Sequence, residues 1–196
     1  MEIITLPLGD YQTNCYIVRQ GTSSKCLIID PGYEPERILS VLEEKQLEPE
    51  AILLTHGHFD HVGAVGALFA ETDCEVILSA ADLSLPPMIT NGRLFYTKTY
   101  PASGILNLAG LTIRVLPTPG HTPGSVCLLV GDTLFSGDTL FRGSCGRTDF
   151  PGGSWEQIQS SLKTLAALPG DYRVLPGHGE QTTLEWERMH NPYLGQ

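Results

Sequence analysis

Hydrophobic and polar positions along the 196-residue chain predict strands and helices that alternate in its first half. Residues 1–30 are β-prone, and a helix is predicted at about 35–46. The uninterrupted apolar run at 51–54 is typical of a strand that is buried on both faces. A further helix is predicted after His61, followed by a strand at 75–79. Alternation of this kind indicates an α/β architecture.

The second half of the chain repeats this pattern. Ser154 begins one predicted helix, and a last helix is predicted at about 183–190 with Thr182 as its cap. Residues 80–110 have no clear periodicity and are predicted to form a surface excursion over the functional site. The predicted strands of this half lie at 111–116, 126–130 and 172–175.

Metal-type ligands follow four apolar, strand-like runs within two to five residues. They are His56, His121, Asp138 and His178, and a glycine lies beside each of them. Functional sites in α/β folds assemble at the carboxyl ends of strands, so these side chains are expected to meet at one edge. The sequence therefore predicts a single site that is built from distant parts of the chain.

Residues 55–61 contain three of the six histidines and one aspartate. Imidazole and carboxylate together suit zinc, iron or manganese better than magnesium or calcium. Because alternate side chains can converge, His56 and His58 can share one metal, which leaves Asp60 and His61 free to reach a second. The alternative is a solvated polar loop. A metal-bound histidine also needs an acceptor for its other ring N–H, and Asp30 is the candidate, with a simple turn role as its alternative.

Composition and charge narrow the function further. The chain has 12 basic and 22 acidic residues, a formal charge of −10, and no Lys/Arg cluster, which disfavours a nucleic-acid partner. No stretch reaches the roughly 18 apolar residues of a membrane span, and residues 1–5 do not resemble a signal peptide. Five cysteines without a CxxC pair fit reduced thiols in a cytoplasmic protein, although Cys145 in a glycine-rich loop leaves a catalytic thiol open.

The motif His56-Gly57-His58-Phe59-Asp60-His61, followed in order by His121, Asp138 and His178, resembles that of the metallo-β-lactamase superfamily. The resemblance covers essentially the whole chain and implies one domain, residues 1–196, with a four-layer αββα sandwich. It implies two divalent ions, zinc being expected and iron or manganese the alternatives. By position, the first ion would be held by His56, His58 and His121, and the second by Asp60, His61 and His178. Asp138 would bridge them, and Asp60 would also orient or deprotonate the attacking water.

Two further segments, 137–150 and 175–194, are similar to the short glyoxalase II branch, the hydroxyacylglutathione hydrolases. The implied reaction is hydrolysis of S-D-lactoylglutathione, or of a like thioester, to an acid and a thiol by a metal-bridging hydroxide. The chain is expected to lack the C-terminal helical domain of the long glyoxalase II enzymes. Arg147 falls where those enzymes have a basic residue that contacts glutathione, so it is the candidate substrate-binding residue.

Two alternative functions remain open at this point. A persulfide dioxygenase shares the ligand set and has a loop that resembles 145–150, but it uses a single iron held by two histidines and an aspartate. A non-catalytic metal-binding module on the same scaffold is the second alternative. The expected partner is a small-molecule thioester, without nucleic acid or membrane, and the oligomeric state is not predicted.

Overall fold

Two six-stranded β-sheets form the middle of the molecule in the computed structural model, which describes residues 1–102 and 104–194. The strand order is β1-β2-β3-β4-β5-β6 in the first sheet and β14-β13-β10-β9-β8-β7 in the second, while β11 and β12 form a separate hairpin. The strands are β1 Glu2–Leu8, β2 Thr13–Arg19, β3 Lys25–Ile29, β4 Glu48–Leu53, β5 Glu75–Leu78, β6 Lys98–Thr99, β7 Ile105–Leu108, β8 Leu111–Pro117, β9 Val126–Val130, β10 Thr133–Gly137, β11 Leu140–Phe141, β12 Ser144–Cys145, β13 Arg173–Pro176 and β14 Thr182–Thr183.

Helices cover the outer faces of both sheets, and residues suited to a helix N-terminus mark where several of them begin. Pro35 occupies the first turn of α1, and the Ser154 hydroxyl accepts a hydrogen bond from the Gln157 N–H to cap α5. The last helix is capped by Thr183, whereas the sequence had predicted Thr182 as its cap. The helices are α1 Pro35–Lys45, α2 Phe59–Val62, α3 Val65–Thr72, α4 Pro87–Thr90, α5 Trp155–Ala166 and α6 Leu184–His190, and a 3₁₀ helix spans Ala80–Ser84.

Three apolar layers confirm the predicted αββα sandwich. In β3, Cys26 and Ile28 pack with the residues of α1 and α3, whereas Leu27 and Ile29 pack against the second sheet. Both faces of this strand are therefore buried at residues 26–29, which explains why these four residues are all apolar. On the far side of the second sheet, a third cluster joins β9, β10 and β13 to the apolar stripe of α5.

Strand direction brings the functional loops to one edge. In the first sheet β3, β4 and β5 run parallel to one another. In the second sheet β10 is parallel to β13, and β8 shares their direction because β9 lies antiparallel to both β8 and β10. The loops after β4, β8, β10 and β13 therefore follow the carboxyl ends of strands, as the sequence predicted.

Two sequence expectations need correction. The single helix predicted after His61 is two helices, α2 and α3, with Gly63 and Ala64 between them, and His61 itself lies in α2. The region 80–110 is only partly a surface excursion, because it supplies a strand to each sheet and contains the fully buried Asp82. Within the described residues, no helix combines the length and apolar character needed to cross a membrane.

Candidate metal centre

All seven predicted ligands lie together at the shared edge of the two sheets. His56 and His58 occupy the loop after β4, and Asp60 and His61 follow directly in α2. The other three come from the second sheet: His121 lies four residues after β8, Asp138 immediately after β10 and His178 two residues after β13.

The first predicted group consists of three buried histidines. The ligand atoms of His56, His58 and His121 lie within 4.8 Å of one another, and His58 Nδ1 is 2.9 Å from His121 Nε2. Such mutual proximity of three imidazoles is typical of a site for a borderline-soft divalent ion.

The second predicted group pairs imidazole with carboxylate. The ligand atoms of Asp60, His61 and His178 also lie within 4.8 Å of one another. His178 Nε2 is 3.1 Å from Asp60 Oδ2 and 3.4 Å from His61 Nε2. This group is more open than the first, because His178 is partly exposed.

Asp138 lies between the two groups. Its Oδ2 atom is 3.5 Å from His121 Nε2 and 3.5 Å from His178 Nε2, while its Oδ1 atom is 3.4 Å from His61 Nε2. Gly177 permits this position, because a Cβ atom there would come within 2.2 Å of Asp138 Oδ1. The carboxylate therefore reaches members of both groups, which is the arrangement expected of a bridging ligand.

The ring nitrogens that face away from the centre explain how the histidines are oriented. A ligating histidine usually donates its second ring N–H to a fixed acceptor, which sets the tautomer and the ring plane. Four histidines meet this condition through Nδ1: His56 with Thr55 Oγ1 at 3.1 Å, His61 with Asp30 Oδ2 at 3.0 Å, His121 with the Arg147 carbonyl at 2.7 Å and His178 with the Tyr11 carbonyl at 3.1 Å.

Three buried polar atoms at the centre have no hydrogen-bond partner among the described residues: His56 Nε2, His58 Nε2 and Asp138 Oδ1. Buried polar atoms are normally satisfied, because an unpaired one costs about 1–3 kcal/mol. Imidazole nitrogen and carboxylate oxygen are suitable ligands for a divalent transition metal. The residues present therefore fit a metal at this position.

The electrostatics of the cluster agree with this fit. Burial, together with the neighbouring His121, lowers the pKa of His58 to about 4, and burial with His61 also lowers the pKa of His56. Burial acts against the ionised form of Asp138, but the imidazoles of His61 and His121 prevail and hold its pKa below the usual range. His56 and His58 thus offer neutral imidazoles beside an ionised carboxylate, whereas Asp138 and Asp30 raise the pKa of His61 against the effect of burial.

Asp30 connects the two ligand groups through hydrogen bonds on the side of the histidine rings that faces away from the centre. As predicted, Asp30 is the acceptor for a histidine of the cluster: its Oδ2 atom lies 3.0 Å from His61 Nδ1 and also accepts the Thr55 hydroxyl at 2.6 Å. Its Oδ1 atom accepts the Thr55 N–H at 2.8 Å. Because Thr55 Oγ1 donates to Asp30, it is free to accept the His56 Nδ1–H, so Asp30 acts on His61 directly and on His56 through Thr55.

Replacing Asp30 by asparagine is expected to weaken metal binding by about 10–100-fold, the usual effect of losing such a partner. Asparagine has the same shape and tolerates the φ of 51° at this position, so the backbone is retained. However, an amide group cannot accept all three hydrogen bonds. Competition with a chelator measures the affinity, and Asp73→Asn is the matched control, since Asp73 is exposed and has the same φ. An unchanged affinity would contradict the role of Asp30.

A cavity of about 510 Å³ opens directly over the cluster. Its walls combine predicted ligands with the aromatic rings of Tyr11, Phe59, Phe141 and Phe150, and Arg147 also lines it. The Arg147 guanidinium donates two 2.7 Å hydrogen bonds to Asp149 and lies 4.0 Å from the centroid of the Phe150 ring. Arg147 thus has a partner within the chain, and its contact with a substrate stays a prediction.

The β11–β12 hairpin forms one wall of this cavity and is bound by two side chains, one from α6 and one from the residue that follows it. Buried Glu187 accepts the Gly143 N–H at 2.9 Å, and the Asn191 amide donates to the Ser144 carbonyl at 3.0 Å. Sequence reasoning missed this role of Glu187.

The exposed His190 lies outside the cluster and stacks on Trp186, in agreement with its prediction as a surface residue.

The chain matches the family model described as the metallo-beta-lactamase superfamily over residues 8–178. It is 39% identical to the probable metallo-hydrolase YqgX of Bacillus subtilis, with 96% of this chain and 95% of the relative covered. It is 36% identical to the hydroxyacylglutathione hydrolase GloC of Haemophilus influenzae, with 99% and 98% covered.

Solved structures agree with these relationships. The B3 metallo-beta-lactamase BLEG-1 superposes with a TM-score of 0.93 at 34% identity over the full length of both chains. TTHA1623, determined in a di-iron-bound form, has a TM-score of 0.84 at 41% identity, with 97% of this chain and 100% of that chain covered. ETHE1 from Myxococcus xanthus has a TM-score of 0.84 at 32% identity, covering 100% and 86%.

Proposed function

Because the chain belongs to the metallo-beta-lactamase superfamily, whose members include metal-dependent hydrolases, we propose that it hydrolyses thioesters and that S-D-lactoylglutathione is its substrate. The observation that carries the proposal is the convergence of five imidazoles and two carboxylates at the floor of an aromatic-walled cavity. The similarity to GloC over nearly the whole chain supports the thioester as substrate class.

In this proposal the seven residues keep the roles that the resemblance implies. His56, His58 and His121 would hold one ion, and Asp60, His61 and His178 the other. Asp138 would contact both. When bound, two such ions supply a water that is deprotonated near neutral pH and Lewis acids for the carbonyl and the departing sulfur.

Asp60 has a second task in this proposal. Its Oδ2 atom contacts His178 and accepts the Thr13 hydroxyl at 3.2 Å, and the carboxylate borders the cavity. These contacts hold the carboxylate in a fixed orientation, which suits it to orient a water molecule and to accept its proton. His178 also lowers the pKa of Asp60, against the effect of burial, which favours the ionised carboxylate.

The cavity walls suit a thioester in two ways. Tyr11, Phe59, Phe141 and Phe150 provide apolar surface that would exclude water around the acyl group and the sulfur. A thiolate is a good leaving group, so cleavage does not require a strong general acid. In this proposal Arg147 would contact a carboxylate of the thiol portion by exchanging its Asp149 partner for the substrate.

A persulfide dioxygenase is the second candidate, favoured by the likeness to ETHE1. That reaction uses a single iron but shares the ligand set, so the number of bound ions, and not the presence of the ligands, separates the two candidates. The di-iron form of TTHA1623 leaves iron open as the metal for either candidate, so the metal alone does not decide between them.

A substrate panel with simultaneous metal analysis tests the proposal. The purified protein is expected to contain close to two metal ions per chain and to release thiol from S-D-lactoylglutathione faster than from other thioesters. The same preparation is then assayed for oxygen uptake on glutathione persulfide and for cleavage of a cephalosporin. One iron per chain with oxygen uptake would favour the dioxygenase, and cephalosporin cleavage without thioesterase activity would favour a β-lactamase.

A further inference from the structure

One buried aspartate near the cluster forms no hydrogen bond with the side chain of any predicted ligand. Asp82 lies four residues after β5, within the 3₁₀ helix Ala80–Ser84, and its exposed fraction is 0%. Within residues 1–102 and 104–194, no ion pair with a lysine or arginine includes it. A buried carboxylate without a cation is costly unless several hydrogen bonds satisfy its oxygens.

Three donors satisfy Asp82, and they come from two separate loops. Its Oδ2 atom accepts the Gly57 N–H at 2.8 Å and the Thr122 hydroxyl at 3.0 Å. Its Oδ1 atom accepts the Gly124 N–H at 2.6 Å. Hydrogen bonds from backbone N–H groups to an ionised carboxylate are among the stronger ones in proteins.

The positions of these donors relate Asp82 to one ligand group. Gly57 lies between His56 and His58, and Thr122 directly follows His121. The carboxylate therefore links the loop that carries two ligands to the loop that carries the third. Its hydrogen bonds include none to Asp60, His61 or His178.

The glycine in the second loop is adapted to this contact. A Cβ atom at Gly124 would lie 2.6 Å from Asp82 Oδ1 and 2.8 Å from the Asp82 backbone nitrogen, which is too close for any other residue. Thr122 is itself fixed, because its hydroxyl lies 2.8 Å from the Ser125 hydroxyl and its N–H donates to the same oxygen at 3.0 Å. The two loops are thus shaped around the carboxylate.

We infer that Asp82 is a positioning residue that fixes His56, His58 and His121 relative to one another, and that its loss weakens the metal bound by these three histidines more than the second metal. The inference rests on the proposed function only in requiring that two metals bind. Its basis is that the first group combines ligands from two sheets, so the distance between its loops must be held by a contact that crosses from one to the other.

The experiment titrates zinc into the metal-free variants Asp82→Ala, Asp82→Asn and Thr122→Val in competition with a chromophoric chelator, which resolves two affinities. Asp82→Ala is expected to weaken one affinity by about 10–100-fold and to leave the other within about twofold. Thr122→Val removes one of the three hydrogen bonds and should give a smaller effect on the same affinity. Asp73→Asn, an exposed aspartate, is the control.

Cobalt substitution identifies the affected group, because its absorption bands report the ligand geometry of each ion separately. Asp82→Asn is expected to alter only the bands of the three-histidine site. The asparagine side chain has the same shape as aspartate, but its NH2 group replaces an accepting oxygen and faces a donor of one of the two loops. Unchanged affinities in all three variants would overturn the inference, and so would an equal weakening of both sites. If Asp82→Ala does not fold, Asp82→Asn and Thr122→Val decide. Failure of the unsubstituted protein to bind two ions would instead contradict the proposed function.

Discussion

Replacing Asp138 by alanine is expected to lower kcat/KM by at least about 1,000-fold, roughly 4 kcal/mol of transition-state stabilisation, and to remove at least one metal ion per chain. Asp138 contacts His121, His61 and His178, so its carboxylate reaches members of both groups. Two divalent ions at a separation of about 3.5–4 Å repel each other, and a shared carboxylate relieves that repulsion. Without it, one site should lose its ion.

Asp132 provides the matched control for this substitution. It directly precedes β10, whereas Asp138 directly follows it, so the two aspartates flank the same strand. Asp132 is exposed, and its only side-chain hydrogen bond among the described residues is from the adjacent Thr133 hydroxyl. Asp132→Asn should therefore retain two metals and normal turnover. Full metal occupancy with normal turnover in Asp138→Ala would contradict the bridging role.

Strand ends made most of this centre predictable from the sequence. An apolar run followed by histidine or aspartate indicates both a buried strand and a polar group at its carboxyl end, and such ends meet at one edge in an α/β fold. His56, Asp138 and His178 follow their strands in this way. The apolar runs were equally informative about the layers, because strands such as β3 must be apolar on both faces in a four-layer sandwich.

The supporting carboxylates were less predictable. Asp82 accepts hydrogen bonds from residues 25 and 42 positions away, and Glu187 accepts one from a residue 44 positions away. These three donors are backbone N–H groups, which every residue except proline has, so no residue type at the far end marks these contacts. The one available signal for Asp82 was its position shortly after the predicted strand at 75–79, but the aperiodic sequence of 80–110 did not indicate that residue 82 stays at that sheet edge.

Arg147 illustrates a different limit of sequence reasoning. The resemblance to the long glyoxalase II enzymes indicated a substrate contact for its side chain. The contact with the predicted centre is instead made by its backbone carbonyl, which accepts the His121 Nδ1–H. Any residue can supply a carbonyl, so this contact leaves no trace in the sequence. Its guanidinium pairs with Asp149, two residues along the chain. The short spacing makes this ion pair possible, but the sequence alone does not predict it.

Removal of the metals by prolonged chelation is expected to abolish activity and to lower the thermal midpoint of unfolding by about 10 °C or more. Each ion present at 100 times its dissociation constant stabilises the native state by about 2.7 kcal/mol. For a domain of 150–250 residues, each kcal/mol shifts the midpoint by about 2–4 °C. The structural reason is that His56 Nε2, His58 Nε2 and Asp138 Oδ1 are buried without hydrogen-bond partners among the described residues, so metal-free folding leaves them unsatisfied.

Readdition of single metals to the chelated protein then separates stabilisation from chemistry. Zinc, iron and manganese should each raise the midpoint, because imidazole and carboxylate ligands suit all three, whereas magnesium should not. The metal that restores thioester hydrolysis with two ions bound per chain would identify the hydrolytic form. His190→Ala is the control for a histidine outside the cluster and should behave as the unsubstituted protein at every step. A midpoint that is unaffected by chelation, with activity retained, would contradict the metal centre itself.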